Sequence, residues 1–100
     1  MIRHLVMFKL REFTTPEEKT IATETVRAEL LALKKKIPVI LEFEVGINFT
    51  EGDAAYDLVI NSSFSSKEDL KRYQVHPDHQ AFIRFNKDYS AKKAIVDYEY

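Results

Sequence analysis

The side chains best suited to chemistry are concentrated in one short segment, YQVHPDH at positions 73–79. Proline disfavours helical geometry at the residue before it and suits the first position of a helix, so we expect a helix that begins at Pro77 with His76 as its N-cap. His79 then lies in the first turn and shares a face with the apolar residues three and four positions further on. Tyr73 closes the preceding helix and approaches from the other side of the break. An inward-facing histidine beside a tyrosine hydroxyl, at the edge of an apolar pocket, can act as a general base.

The position of His79 in this helix predicts a neutral imidazole. The positive end of a helix disfavours the imidazolium form, and partial burial acts in the same direction, so we expect the pKa of His79 to be lowered. The alternative is that His79 and Tyr73 only satisfy backbone groups at a junction between two helices. For His76 the corresponding interpretation is a cap or boundary residue.

A metal site is a further alternative for the same segment, because His76 and His79 are separated by two residues and Asp78 lies beside them. However, a junction broken by proline rarely aims both imidazoles at one point, and no carboxylate-rich motif accompanies them. The chain has no cysteine, which excludes thiolate ligands, thiol nucleophiles and disulfides. Neither glycine lies in a phosphate-cradling motif. We therefore expect no metal and no cofactor.

A second polar group is placed by a strand. Residues 2–10 alternate with a period of two, so that His4 shares a face with apolar neighbours while Leu5 and Met7 lie on the other face. His4 is either a hydrogen-bond donor that lines a pocket or a core histidine whose bonds are satisfied internally. Asp97 falls on the last strand, where it could orient a histidine or face water, and alternation alone does not decide between the two.

The remaining pattern predicts an α+β fold. The predicted elements are a strand at 2–10, a helix between its N-cap Thr15 and Pro38, strands at 39–49 and 56–64, a short helix capped by Ser65 or Ser66, a helix at 78–89 and a strand at 94–100. This order is the ferredoxin-like βαββαβ arrangement with its second helix broken, and it forms a four-stranded antiparallel sheet with helices on one face.

Apolar residues on the other face of that sheet predict a homodimer. Leu5 and Met7 point away from the helices, and Ala94, Val96 and Tyr98 of the last strand also need to be covered. Because a second sheet would cover them, we expect two chains to pack sheet against sheet.

Composition limits the class of protein. A chain of 100 residues is one domain, 1–100, and 15 basic against 16 acidic residues give a net charge of -1. A general nucleic-acid binder carries a basic excess, so no nucleic-acid partner is expected. No apolar run approaches about 18 residues, so we expect no membrane span. The first residues run directly into a strand, which argues against a signal peptide and favours the cytoplasm.

The chain resembles the stress-responsive A/B barrel (Dabb) family over its whole length. The segments that carry the resemblance are IRHLVMFKL at 2–10, IP at 37–38, VGIN at 45–48, YDLV at 56–59, Tyr73 and HPDH at 76–79. The resemblance implies a ferredoxin-like domain that dimerises into an α+β barrel.

A plant polyketide cyclase of this family uses a tyrosine and the second histidine of the 73–79 run for an intramolecular aldol condensation, which implies catalytic roles for Tyr73 and His79. The resemblance also implies that His4 and Asp97 belong to the pocket. The other residues predicted to bind substrate are Val6, Phe8, Val26, Leu58, Ile60 and Phe82. Val26 stands where the cyclase has a large aromatic residue and Leu58 where it has a histidine, so the cyclase substrates do not transfer.

Three functions are consistent with these residues. The first is a small-molecule pocket between sheet and helices, with cyclase- or isomerase-type acid–base chemistry next to a carbonyl and no cofactor. The second is a non-catalytic stress or assembly protein whose dimeric barrel has a structural role. This hypothesis predicts no ligand-sized cavity beside His79. The third is a monooxygenase-like enzyme of the wider dimeric α+β barrel group, an alternative that rests on fold analogy.

Overall fold

One antiparallel sheet organises the chain, with its first strand at the centre. The computed structural model describes residues 1–100. The elements are β1 (Ile2–Leu10), α1 (Pro16–Lys36), β2 (Glu42–Ile47), β3 (Leu58–Phe64), α2 (Lys67–Val75), α3 (Pro77–Asn86) and β4 (Ser90–Glu99). The strand order is β2-β3-β1-β4, and every neighbouring pair is antiparallel. The ferredoxin-like α+β fold is therefore confirmed, and no helix is both long and apolar enough to cross a membrane.

The core lies between the helices and one face of the sheet. Along β1, buried and half-buried residues alternate without a break, as the period of two predicts. The facing stripe of α1 consists of Ala22, Val26, Leu30 and Leu33, all of which are buried. These positions recur every three or four residues, which places them on one side of a helix.

Side-chain caps fix where the helices begin. The hydroxyl of Thr15 accepts a hydrogen bond from the backbone N–H of Glu18 at 3.2 Å, and the carboxylate of Glu18 accepts one from the backbone N–H of Thr14 at 3.3 Å. At the start of α2, the hydroxyl of Ser66 accepts from the backbone N–H of Asp69 at 3.1 Å. The predicted capping box of α1 is thus confirmed, with the carboxylate bonded one residue earlier than the cap itself.

The second strand is shorter than predicted. The alternation suggests a strand at 39–49, whereas β2 spans Glu42–Ile47 and leaves Phe49 97% exposed. The side-chain oxygen of Asn48 accepts a hydrogen bond from the backbone N–H of Thr50 at 2.9 Å, which turns the chain away from the sheet. Local turn chemistry overrides the apolar alternation here.

Three further elements begin or end at residues other than those predicted. The predicted spans 56–64, 78–89 and 94–100 correspond to Leu58–Phe64, Pro77–Asn86 and Ser90–Glu99 in the structure. The largest change is in β4, where Lys92 and Lys93 pair with Lys9 and Phe8 of β1. Because lysines do not alternate with apolar residues here, the hydrophobic pattern does not predict the start of β4. Main-chain pairing with β1 holds it in the sheet.

The sheet face away from the helices is apolar at its centre. In the register of β1 and β4, Leu5 lies opposite Val96 and Met7 lies opposite Ala94, so these four side chains point to the same side. Val96 is 50% exposed. The prediction that β1 and β4 leave an apolar surface uncovered by the chain's own helices is confirmed.

Candidate functional site

A cavity of about 370 Å³, here called the site cavity, lies between the sheet and the pair of helices α2 and α3. It brings together most of the residues singled out from the sequence. Those that line it are His4, Val6, Phe8, Ile60, Tyr73, His79 and Phe82. Two strands, β1 and β3, and two helices, α2 and α3, supply them. Because β1 is far from the other three along the chain, the fold itself assembles this group.

Three of the predicted residues do not line the site cavity. Val26 and Leu58 lie in the hydrophobic core with 0% and 1% exposure. Because α1 packs directly over the β2 side of the sheet, its stripe fills the space there, and the site cavity opens beneath α3 instead. Asp97 lies behind His4 rather than on the wall.

The ring of His79 is held in one tautomer. Its Nδ1 lies 3.0 Å from the backbone carbonyl oxygen of Gln74. A carbonyl can only accept, so Nδ1 carries the proton in the neutral imidazole, and Nε2 keeps a lone pair. The ring lies 4.3 Å from that of Tyr73, centroid to centroid. His79 therefore combines a fixed orientation with a free basic nitrogen.

The surroundings of His79 favour the neutral ring. Burial is the largest influence and lowers the pKa of His79, while the hydrogen bond to Gln74 acts in the opposite direction. Electrostatic repulsion from His4, Lys93 and His76 lowers this pKa further. The expected direction is confirmed, and burial is its leading cause.

Tyr73 remains protonated. It is only 1% exposed and packs against the ring of Phe64 at 5.2 Å and that of His4 at 6.0 Å. Burial raises the pKa of Tyr73 far above its ordinary value. The hydroxyl can therefore act as a donor in the cavity that His79 also lines.

His4 and Asp97 form a pair across β1 and β4. They occupy opposite positions in the register, and the Nδ1 of His4 donates to the Asp97 carboxylate. The side chain of His4 is 5% exposed and that of Asp97 is 38% exposed. The question that alternation left open is thus answered by strand register: Asp97 orients a histidine.

His76 has a structural role. Its Nδ1 accepts a hydrogen bond from the backbone N–H of Asp78 at 3.1 Å, which caps α3 as predicted. His76 and His79 therefore bind different backbone groups through Nδ1. No group of three or more histidine, aspartate or glutamate side chains is placed to share a metal ion.

Asn86 is the wall residue that the sequence reasoning missed. It lines the site cavity, is 6% exposed, and its side-chain oxygen has no hydrogen-bond partner. A signal for it exists in the sequence, because Asn86 follows His79 by seven residues and Phe82 by four and therefore lies on the same face of α3.

A second concave region, the α1 groove, lies between the start of α1 and the loop 48–57. It is larger, at about 770 Å³, and contains none of the predicted site residues. Both acidic and basic groups line it. Its acidic residues are Glu12, Glu24, Glu51 and Asp57, and its basic residues are Lys9, Arg11 and Lys19.

Comparisons with known proteins agree with the fold. The sequence profile of the stress-responsive A/B barrel domain family, Dabb, matches residues 2–100. An uncharacterised protein of Streptomyces coelicolor is 36% identical over 102 residues, which cover 100% of both chains. A dimeric ferredoxin-like protein of unknown function from Bacteroides fragilis superimposes with a TM-score of 0.87 at 34% identity, over 99% of this chain and 95% of that one. A dimeric ferredoxin-like protein of unknown function from Thermobifida fusca superimposes with a TM-score of 0.81 at 24% identity, over 99% of this chain and 90% of that one.

More distant structures share the fold alone. A hydroxynitrile lyase from Passiflora edulis has a TM-score of 0.79 at 16% identity, covering 97% of this chain and 90% of that one. An antibiotic biosynthesis monooxygenase has a TM-score of 0.76 at 12% identity, covering 100% and 98%. The fold thus occurs in proteins named for different reactions, and no one reaction follows from it.

Proposed function

Because the chain belongs to the stress-responsive A/B barrel domain family, we propose that it acts as a homodimer whose site cavity binds a small carbonyl compound. His79 is the general base and Tyr73 the hydrogen-bond donor in this proposal, and the reaction is of the cyclase or isomerase type, without a cofactor. The proposal includes a cytoplasmic location, which cell fractionation tests.

The proposed chemistry begins at the carbon next to the carbonyl. Nε2 of His79 takes a proton from that carbon, and the electron pair of the broken C–H bond moves into an enolate. The Tyr73 hydroxyl donates a hydrogen bond to the enolate oxygen, where negative charge develops. The imidazolium then returns its proton. It goes to a different carbon in an isomerisation, or to the alkoxide formed when the enolate carbon attacks a second carbonyl of the same molecule.

The observation that carries this proposal is the pairing of a neutral base with a protonated hydroxyl in one cavity. The rings of His79 and Tyr73 lie 4.3 Å apart, and both line the site cavity. Burial acts on both groups, lowering the pKa of the histidine and raising that of the tyrosine. Opposed shifts of this kind separate the roles of acid and base at neutral pH.

Hydrogen–deuterium exchange at the carbon next to a ketone tests the proposed step. The substrates are butyrophenone and 3-benzoylpropanoate in D₂O, followed by proton NMR. We expect exchange above the buffer rate, a loss of about 10²–10⁴-fold in His79→Ala and a smaller loss in Tyr73→Phe.

The matched control is His76→Asn, which removes an imidazole but keeps a side chain that can cap a helix. It should exchange at the wild-type rate. Equal exchange by wild type and His79→Ala, or none above buffer by wild type with either ketone, would contradict the proposal.

The dimer in this proposal is supported by the uncovered sheet face and by the dimeric relative from Bacteroides fragilis. Val96 is 50% exposed on that face, opposite Leu5 of β1, whereas Ile21 is 67% exposed on α1. Sedimentation at micromolar concentration should show a dimer for the wild type and a monomer for Val96→Glu, because a charge there is buried without a partner. Ile21→Glu should remain dimeric, and a monomeric wild type would refute the dimer.

A non-catalytic role is the second candidate, favoured by the hydrogen bonds that His79 and Gln80 make to the carbonyl of Gln74 at the junction of α2 and α3. It predicts that His79→Ala costs about 1–3 kcal/mol of stability and changes no reaction. The site cavity beside His79 favours the catalytic proposal over this one. The monooxygenase alternative has the support of shared fold only.

A further inference from the structure

We propose that the ligand of the site cavity is an anion, a carbonyl compound with a carboxylate that Lys93 and Lys87 bind. This inference rests on the proposed function, because it names the class of substrate for the same cavity. It is carried by the sign of the charges around the cavity, by the absence of partners for those charges and by one unpaired polar group on the wall.

The site cavity is lined by charges of one sign. Its charged lining residues are Lys87, Lys92 and Lys93, and no aspartate or glutamate lines it. The chain as a whole carries 15 basic and 16 acidic residues, so this bias does not follow from composition. A cleft walled by one sign of charge concentrates the field and attracts ligands of the opposite sign.

Two of these lysines are free to bind a ligand. The ion pairs of the chain use other cations, and neither Lys87 nor Lys93 lies within 4.0 Å of a carboxylate oxygen. The one carboxylate close behind the wall, that of Asp97, is engaged by His4. Lys93 lies opposite Phe8 in the strand register and therefore points to the side of the sheet that holds the cavity.

Lys92 does not belong to the proposed set. It lies opposite Lys9, so its side chain leaves from the other face of the sheet, and its ammonium lies 5.4 Å from the centre of the Tyr56 ring. Lys93 and Lys87 thus remain as the cations that a ligand in the cavity would meet. The charge of Lys93 also acts on His79, whose pKa it lowers, so it lies close enough to matter at the proposed base.

Asn86 adds a polar group on the same wall. It is nine-tenths buried, and no hydrogen bond to its side-chain oxygen holds the carboxamide in its present orientation. The unpaired atom is the buried oxygen, so the NH₂ group is the end of the carboxamide that reaches the cavity. It can offer an N–H donor to a carboxylate beside Lys87, its neighbour in the chain.

These groups also give the ligand a direction. A carboxylate held by the lysines and Asn86 leaves the rest of the molecule to extend toward Tyr73 and His79, where the carbonyl would react. A cavity of about 370 Å³ lies at the small end of the range for ligand sites. The expected ligand is therefore a compact keto acid.

The test compares two ketones that share a phenyl ketone and a four-carbon chain and differ in a terminal carboxylate. Binding of 3-benzoylpropanoate and of uncharged butyrophenone is measured by NMR titration and calorimetry. We expect the anion to bind at least about tenfold more tightly at low salt, with the advantage falling as salt rises. Lys93→Met and Lys87→Met should each weaken binding of the anion several-fold and leave binding of butyrophenone unchanged.

Lys71→Met, at an exposed position on α2, is the matched control and should bind both ketones as the wild type does. Equal affinity of the two ketones, or loss of the anion's advantage in Lys71→Met as well, overturns the inference. If both ketones bind and exchange equally, the proposed function stands and the inference fails. If the anion binds through the lysines but His79→Ala leaves exchange unchanged, the inference stands and the proposed base is wrong.

Discussion

The two concave regions of this molecule differ in how their polar groups are engaged. In the α1 groove, Lys19 Nζ lies 2.9 Å from a carboxylate oxygen of Asp57, and Lys9 donates to the backbone carbonyl of Asp53 at 3.0 Å. In the site cavity, the bond from Nδ1 of His79 leaves Nε2 free, and the Asn86 oxygen has no partner. The groove is twice the size of the cavity, at about 770 against 370 Å³.

The difference shows that volume alone does not indicate a site. Groups that satisfy one another stabilise the surface on which they lie, and a ligand gains little by replacing them. Groups that converge on one concave space without partners leave hydrogen bonds and charge interactions for a ligand to make. The smaller cavity has this second property.

Filling each region in turn should give the largest contrast. Ile83→Trp, on the α3 wall of the site cavity, should reduce binding of 3-benzoylpropanoate by about 100-fold or more, because the indole occupies the ligand's space. Thr20→Trp in the α1 groove should bind as the wild type does. Calorimetry measures both, and an equal loss in the two variants would remove the distinction between the regions.

The pH dependence of exchange should identify the base in the site cavity. Because the pKa of His79 is lowered, the rate should fall on the acid side with a midpoint below about 6.5, about tenfold per pH unit beyond it, as the imidazole becomes protonated. The groups that face this ring are Tyr73, His4, Lys93 and His76.

Removing one of the nearby charges sharpens this prediction. Lys93→Met should move the acid midpoint upward, since a cation that disfavours the imidazolium is lost. Lys19→Met in the α1 groove should leave the midpoint where it is. A midpoint that stays fixed in Lys93→Met, measured over the same pH range, would argue that another group titrates.

Replacing Asn86 should affect the stability of the fold and the affinity for the ligand in opposite directions. Because its oxygen is buried without a partner, Asn86→Leu should unfold in denaturant with a free energy equal to or above that of the wild type, while it binds 3-benzoylpropanoate several-fold more weakly. The matched change in the α1 groove, Asn48→Leu, should destabilise the chain by about 1 kcal/mol, because Asn48 makes two hydrogen bonds. Unchanged binding in Asn86→Leu would place that residue outside the site.

The helix caps provide the smallest contrast. His76→Ala beside the site cavity and Thr15→Ala beside the α1 groove should each lower the unfolding free energy by about 0.5–2 kcal/mol, because each removes one acceptor for a helix N–H. Neither should change the affinity for 3-benzoylpropanoate by more than the error of calorimetry. A large loss of binding in His76→Ala alone would mean that the cap also holds the cavity in shape.

The sequence predicted most of the fold because its signals are local. Alternation along β1 and capping at Thr15 and Ser66 need no knowledge of distant contacts. The site was harder to predict, because Asp97 meets His4 only through strand register. The sequence predicts Val26 and Leu58 in the pocket, but whether a helix leaves space above the sheet depends on how α1 packs. Asn86 was missed although its spacing from His79 placed it on the same helix face.

The most direct test of the central claim, that His79 is a free base facing a ligand cavity, is nitrogen NMR of the histidine rings. The wild-type protein is titrated with pH, with and without 3-benzoylpropanoate. We expect His79 as the Nδ1–H tautomer, a midpoint below about 6.5 and a shift of its Nε2 signal on adding the ketone, while His76 does not respond. A His79 that titrates at or above that value, as the Nε2–H tautomer and without response to the ketone, would contradict the claim.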